Sequence, residues 1–217
     1  ANPAYVDAHN NMGLVQTDRS NFKLAIKSFS QAIKIKPDYV EAYNNMGTTL
    51  QDKGDLEGAI NCYNKALSIQ PDYSAAHFNM GIAFNGKNDP VAAINSYKQA
   101  LKIQPDYADA LNNMGVAQNS QGDLEAAIES YEQAIKINPD YADAYNNMGI
   151  ALQEKGDVNA ALKSFKKALK FKPDYAEAHN NMGLTLNSKG DLESAIQSYK
   201  KALNIKPIYP EAYNNMG

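Results

Sequence analysis

The sequence predicts an all-α protein, a solenoid in which antiparallel helix pairs stack one after another. Its first support is a repeat of 34 residues, marked by prolines at 3, 37, 71, 105, 139, 173 and 207. All seven methionines keep the same spacing. A second support is the apolar pattern, since each repeat holds two stretches of helical periodicity. A period of about 20–50 residues indicates stacked supersecondary units.

The period divides the chain into units of equal length. We place complete repeats at 3–36, 37–70, 71–104, 105–138, 139–172 and 173–206, and a partial repeat at 207–217. No other stretch indicates a linker or a second domain. We therefore expect one array over residues 1–217, with twelve helices and a short thirteenth.

The second repeat shows how each helix pair is expected to form. Gly54 can take the left-handed conformation that ends the first helix, and Asp55 can cap the second. Asp38 and Glu41 have the spacing of a capping box at the start of the first helix. Within that helix Gly47 costs about 1 kcal/mol relative to alanine. We expect it to allow close approach of the second helix at its small alanines, Ala59 and Ala66.

Composition excludes several classes of function. The net charge is only −3, which argues against a nucleic-acid-binding or anionic-membrane surface. No apolar run approaches the roughly 20 residues that span a bilayer. The single cysteine, Cys62, cannot form an intrachain disulfide and fits a reducing compartment, so we expect a cytoplasmic protein.

No catalytic, cofactor or metal site is predicted. The histidines His9, His77 and His179 occupy one equivalent position in three repeats, filled by tyrosine or leucine in the others. They lie two and three repeats apart, whereas metal ligands must converge within about 2 Å of one ion. Cys62 has serine at its equivalent positions, which argues against a nucleophile. We expect that the chain is not an enzyme.

The repeat resembles a known family. Residues 42–71, AYNNMGTTLQDKGDLEGAINCYNKALSIQP, carry an aromatic residue and N-x-G in the first helix, and G-D-x-x-x-A-I-x-x-Y-x-x-A-L and proline in the second half. This pattern resembles the tetratricopeptide repeat (TPR), most closely the long arrays of O-linked N-acetylglucosamine transferases and similar bacterial arrays. The resemblance implies a right-handed superhelix with first helices on the concave side. It also implies that a concave asparagine contacts the backbone of a ligand.

Paired asparagines are the candidate binding residues. Two adjacent asparagines cost a helix about 0.5 kcal/mol each, yet they recur opposite the packing stripe of the first helix. A carboxamide donates and accepts hydrogen bonds, as an extended peptide backbone requires. The second of each pair is the family's ligand-contacting residue by resemblance: Asn11, Asn45, Asn79, Asn113, Asn147 and Asn181. The first of each pair completes the predicted site: Asn10, Asn44, Asn112, Asn146 and Asn180.

An alternative is that these asparagines bridge neighbouring first helices and bind only water; both roles can hold together. If ligand binding is their main role, replacing Asn79, Asn113 and Asn147 with alanine should weaken peptide binding and leave stability nearly unchanged. The acidic residues that border the stripe, such as Glu41 and Asp109, favour a neutral to basic peptide. No basic residue occupies the stripe, which argues against the TPR domains that clamp a carboxylate.

The sequence thus predicts a non-catalytic scaffold that binds an extended peptide. Two other interpretations stay open: the substrate-recruiting arm of a larger enzyme, such as a glycosyltransferase, or a self-assembling array. In the partial seventh repeat, Tyr213 and Met216 should cover part of the apolar face formed by Leu192, Ile196 and Tyr199. The outward side of this repeat has no second helix to cover it, which predicts end-to-end self-association at the C-terminal end. The lysines of the second helices indicate a solvated outer face, with a second, convex partner as the alternative.

Overall fold

The computed structural model describes residues 3–216, with side chains from Tyr5 to Met216, and residues 1, 2 and 217 of the expected array lie outside them. The described residues form thirteen α-helices and no strand, as the sequence predicts. None of these helices is both long and apolar enough to cross a bilayer. The helices are α1 Pro3–Asp18, α2 Phe22–Ile35, α3 Val40–Asp52, α4 Leu56–Ile69, α5 Ser74–Gly86, α6 Pro90–Ile103, α7 Ala108–Ser120, α8 Leu124–Ile137, α9 Ala142–Glu154, α10 Val158–Phe171, α11 Ala176–Ser188, α12 Leu192–Ile205 and α13 Pro210–Met216.

The helices belong to two compact units, α1–α6 and α7–α13. Within each unit, the odd-numbered first helix of a repeat packs on the even-numbered second helix that follows it, and each second helix packs on the next first helix. Successive first helices also contact each other, α1 with α3 and α3 with α5 in one unit, α7 with α9 and α9 with α11 in the other. These contacts are more extensive than those between successive second helices. The first helices of each unit therefore form a continuous face, which we call the first-helix face.

The contact at Gly47 differs from the expected one. An added Cβ atom would lie 2.5 Å from Cε1 of Tyr63, so an aromatic ring, and not Ala59 or Ala66, occupies the space that the glycine leaves. Tyr63 is fully buried. The same contact recurs in the other complete repeats: Gly13 with Phe29, Gly81 with Tyr97, Gly115 with Tyr131, Gly149 with Phe165 and Gly183 with Tyr199.

The turns inside the second to sixth repeats form as their residues predict, whereas in the first repeat Asn21 precedes α2 without a side-chain cap hydrogen bond. Gly54 has a φ of 88°, in the left-handed region, and Asp55 caps α4 by accepting a hydrogen bond from the Gly58 amide over 2.9 Å. In the third repeat Asn88 replaces the glycine with a φ of 60°, and Asp89 caps α6. Local turn chemistry thus determines where the second helices begin.

The predicted capping box at the start of the first helices is wrong. Tyr39 is the N-cap of α3 and makes no side-chain cap hydrogen bond, so Asp38 precedes the cap and Glu41 falls one position too early. The Tyr39 hydroxyl instead donates to the Asp7 carboxylate of the preceding repeat over 2.8 Å. In the other unit Tyr141 donates to Asp109 over 2.6 Å. An acidic residue thus connects two repeats where the pattern predicted a cap.

Candidate functional site

The first asparagine of each predicted pair is buried, although the sequence placed it on the stripe opposite the core. Its exposed fraction is between 4% and 7%. The helix of the following repeat covers it, because successive first helices contact each other. These buried residues are Asn10, Asn44, Asn112, Asn146 and Asn180.

The second asparagine of one repeat donates to the first asparagine of the repeat before it. In the first unit, Nδ2 of Asn45 lies 3.1 Å from Oδ1 of Asn10, and Nδ2 of Asn79 lies 3.0 Å from Oδ1 of Asn44. The second unit repeats the bond over 3.0–3.1 Å, from Asn147 to Asn112, from Asn181 to Asn146 and from Asn215 to Asn180. We call these ten residues the asparagine ladder. The bridging role, given above as an alternative, is therefore present in both units.

The bridge leaves part of each second asparagine available. Asn45, Asn147 and Asn181 are half-buried, and each uses one amide N–H for the ladder. A carboxamide has two N–H donors and an acceptor oxygen. The second N–H and the Oδ1 atom of these residues have no protein partner among the described residues. Such a side chain can bind a further donor and acceptor without breaking the ladder.

The remaining predicted second asparagines differ in their surroundings. Asn11 is exposed, and Asn79 is half-buried with Thr48 as an additional neighbour, 3.5 Å from its Nδ2. Asn113 is half-buried, and its Oδ1 accepts a hydrogen bond from Asn112 of the same pair over 3.3 Å. The ten ladder residues do not include Asn11 and Asn113.

A second bridge between first helices was not predicted. The hydroxyls of Thr17 and Thr49 lie 2.7 Å apart, and in the other unit the Thr185 hydroxyl donates to Oε1 of Gln153 over 2.6 Å. Thr49 and Thr185 are at most 1% exposed. The sequence signal was a threonine four residues after the second asparagine, where three other repeats have alanine. These residues fix the spacing of the first helices beside the ladder.

Carboxylates border the first-helix face, and several are paired. Lys172 lies 3.8 Å from Asp143, and Lys206 lies 3.5 Å from Glu177. Asp7 accepts the hydrogen bond of Tyr39, whose pKa is raised to about 12, first by burial and then by this carboxylate. The border is therefore acidic with partial neutralisation by lysines.

The histidines and the cysteine have structural surroundings. Nε2 of His77 lies 3.0 Å from the carbonyl of Pro71, and His179 repeats this bond with Pro173 over 3.1 Å. No group of three or more His, Cys, Asp or Glu residues in the described part of the chain has the geometry to hold a metal ion. Burial, and then the nearby Asp55, raises the pKa of the Cys62 thiol to about 11, which keeps it protonated at neutral pH.

Solved structures share this fold. MamA, at 30% sequence identity, aligns with 75% of this chain and 95% of its own, with a TM-score of 0.68. YrrB, described as a TPR protein with an unusual peptide-binding site, has 24% identity over 86% of this chain and 96% of its own, with a TM-score of 0.67. PilW, described as a widely conserved type IV pilus biogenesis factor, has 19% identity over 100% of both chains, with a TM-score of 0.89. At these lower identities YrrB and PilW show the fold alone.

The repeat itself assigns the family. No curated protein matches the sequence. A family profile described as TPR repeat matches residues 15–54, 50–88, 86–122, 119–156, 151–190 and 185–217. These matches follow one another along nearly the whole chain, and the helix pairs they cover pack in succession within each unit. The chain therefore belongs to the TPR repeat family.

Proposed function

We propose that the chain is a non-catalytic scaffold that binds an extended peptide along the first-helix face. The second asparagines contact the peptide backbone, and the first asparagines hold them in position. The observation that carries this proposal is the free amide N–H and Oδ1 of Asn45, Asn147 and Asn181 beside the bond that each makes to the ladder. Membership of the TPR family, whose repeats serve as protein-interaction scaffolds, supports it.

The ladder prepares these side chains for binding. Ordering a free polar side chain costs up to about 1.5 kcal/mol on binding. A carboxamide already held by one hydrogen bond has lost most of that freedom before the ligand arrives. The ladder thus lowers the entropic cost of each contact, although it uses one donor of each second asparagine.

The repeat spacing matches an extended peptide. Neighbouring helices pack about 8–10 Å apart, and a peptide in the extended polyproline II conformation rises about 3.1 Å per residue with three residues per turn. Successive second asparagines would therefore meet every third residue of the peptide within each unit. Contacts to backbone atoms at this interval bind a chain with little dependence on its side chains.

The border of the face favours a neutral to basic peptide. Glu41 and Asp109 lie in the first turns of α3 and α7, as expected from the sequence. Lys172 and Lys206 neutralise only some of the carboxylates further along. Half-buried apolar residues beside the pairs, such as Val116 and Ile150, add contacts for apolar side chains of the peptide.

An array of immobilised peptides tests this function. We expect the wild type to bind neutral and basic peptides, and the double variant Asn112→Ala/Asn147→Ala to lose that binding. The double variant removes both ends of one ladder bond, so it leaves no buried partner unsatisfied. The matched control is Asn138→Ala, an exposed asparagine at the end of α8. Equal binding by the folded double variant and the wild type would contradict the proposal.

Self-association is a second proposal, and exposed apolar side chains on α12 and α13 favour it. Leu192 is 60% exposed, Ile196 40% and Tyr213 53%, so of the face that the seventh repeat was expected to cover only Tyr199 is buried. Sedimentation velocity across a concentration range tests it, and a strictly monomeric protein at high concentration would contradict it. A recruiting arm of a larger enzyme and a cytoplasmic location stay predictions.

A further inference from the structure

Helix α10 concentrates positive charge on the face of the second helices. Its lysines are Lys163, Lys166, Lys167 and Lys170, and the helix contains no acidic residue. Spacings of three and four residues place these side chains on neighbouring positions of one helix surface. All four are exposed, and none makes an ion pair among the described residues.

The charge of α10 is unlike that of its neighbour. At the positions equivalent to these lysines, α8 carries Glu129, Glu132, Gln133 and Lys136. A solvated outer face explains an alternation of charges along a helix. Like charges three or four residues apart on one helix repel each other by a few tenths of a kcal/mol, and a partner that neutralises the four unpaired lysines would remove this cost.

A groove lies beside the lysines. It has a volume of about 540 Å³ and is lined by residues of α10, α11 and α12. Lys166 and Lys170 from α10 and Lys201 from α12 supply its positive charge, while Leu169, Met182 and Ile205 supply apolar surface. A second groove of about 480 Å³ shares Lys166 and Lys170 and continues to Lys189. We call the first of these the α10–α12 groove.

The groove also contacts a buried polar side chain. His179 lines it, is only 7% exposed, and has an Nδ1 atom with no hydrogen-bond partner in the described part of the chain. Its Nε2 atom bonds to the Pro173 carbonyl, so Nε2 carries a proton. The pKa of His179 is lowered, chiefly by burial, and Lys201 lowers it further. A lowered pKa favours the neutral ring at neutral pH, so the charge of the groove comes from its lysines.

We propose that the α10–α12 groove binds an acidic segment of a partner protein that carries apolar side chains. Carboxylates of the segment pair with Lys166, Lys170 and Lys201, and its apolar side chains contact Leu169 and Met182. The site is formed mainly by the second helices α10 and α12, with His179 and Met182 from α11, and its lining includes none of the ladder asparagines. It gives the scaffold two surfaces that differ in the charge of the ligand they select.

The extent of the positive surface favours a protein segment over a nucleic acid. α10 has 14 residues and is therefore about 21 Å long. Glu132 shares a groove with Lys163 and Lys167, so the positive surface ends at α8. A nucleic acid carries phosphates along its whole length, so its backbone would extend beyond the lysines and be repelled by the glutamates of α8. A short acidic segment fits within the lysines.

A fluorescein-labelled peptide tests the proposal by fluorescence anisotropy. The probe is as long as α10, with glutamates on one helical face and leucines beside them. We expect the wild type to bind it, with an affinity that falls as salt rises. The variant Lys166→Glu/Lys170→Glu/Lys201→Glu should bind it about tenfold more weakly, because three charge pairs are reversed. A probe with lysines in place of the glutamates should bind this variant better than the wild type.

The matched control is Lys98→Glu/Lys102→Glu/Lys136→Glu. It changes the net charge by the same amount at exposed lysines of α6 and α8, outside the α10–α12 groove. If the control variant and the groove variant lost the same amount of affinity for the acidic probe, the proposal would be overturned. Tighter binding of duplex DNA or of phosphatidylserine vesicles than of the acidic probe, or no binding of the probe to the wild type, would also overturn it. Far-UV circular dichroism establishes that each variant is folded.

Discussion

The ring of Tyr63 occupies the space that Gly47 leaves open, so that a Cβ atom at position 47 would lie 2.5 Å from the ring. Gly47→Ala would gain about 1 kcal/mol in helix propensity, but it must displace a fully buried ring. Overpacking of this kind costs about 1–3 kcal/mol or more. We expect a net loss in the free energy of unfolding, measured with urea.

Gly86→Ala is the control for that variant. It is the last residue of the first helix α5, and an added Cβ would meet only the two terminal methyls of Leu56, at 3.2 and 3.7 Å. We expect this variant to be neutral or stabilised by up to about 1 kcal/mol. Equal effects of the two substitutions on the free energy of unfolding would mean that the contact with Tyr63 is not the reason for a glycine at position 47.

The asparagine ladder changes the expected effect of replacing its members. Asn79→Ala leaves Oδ1 of the buried Asn44 without its donor, which costs about 1–3 kcal/mol. The sequence-based expectation of nearly unchanged stability is therefore replaced by one of moderate destabilisation. In Asn44→Ala/Asn79→Ala both partners are absent, and the loss should be smaller than the sum of the single losses. Urea unfolding of the four proteins in a double-mutant cycle measures this coupling; additive losses would show that the bond contributes nothing.

Asp38 and Asp55 test which aspartates cap a helix, the first before a first helix and the second before a second helix. Asp55 accepts the capping hydrogen bond of α4, so Asp55→Ala should lower the free energy of unfolding by about 0.5–2 kcal/mol. Asp38 is exposed and is not the N-cap of α3, so Asp38→Ala should change the free energy of unfolding by less than about 0.5 kcal/mol. Equal losses of unfolding free energy from the two substitutions would mean that Asp38 caps its helix, as the capping-box prediction had it.

Buried tyrosines should make the fold sensitive to alkaline pH. Burial is the largest cause that raises the pKa of Tyr63 to about 12, against about 10 in an unfolded chain. Its contribution is fully present below pH 10 and is lost as the pH rises from 10 through 12, because the folded state disfavours the ionised ring. We expect Tyr63→Phe to lose less stability than the wild type over this range. Urea unfolding at several pH values measures this loss of stability, and Tyr5→Phe, at an exposed tyrosine, is the control. Identical pH profiles of Tyr63→Phe and the wild type would contradict the expectation.

Local chemistry made the helices and the turns within repeats predictable. Gly54 and Asp55 act within a few residues of each other, so the sequence alone shows their roles. The same reasoning failed at Asp38, because the turn that begins at Lys36 closes on the Tyr39 amide and starts the helix later. The N-cap is therefore Tyr39, one residue after the aspartate that the capping pattern had indicated.

Contacts between repeats were less predictable. The sequence showed that Gly47 needs a close neighbour, but not that the neighbour is Tyr63, because both alanines and the aromatic ring lie on the same stripe of α4. The ladder joins residues 35 positions apart. Whether such a pair meets depends on how closely successive first helices approach, which the period does not specify. The resemblance pointed to the second asparagines, and the structure added the bonds that hold them.

Backbone binding by the second asparagines is tested most directly by a methylation scan. A peptide selected from the array is synthesised with each backbone N–H methylated in turn and, separately, with each side chain reduced to alanine. Isothermal titration measures the affinity of every form. We expect methylation at every third residue to weaken binding about tenfold, since a hydrogen bond to the peptide backbone is lost, while alanine substitutions have smaller effects. Uniform tolerance of methylation, with large losses from side-chain substitutions, would contradict backbone binding by the asparagines.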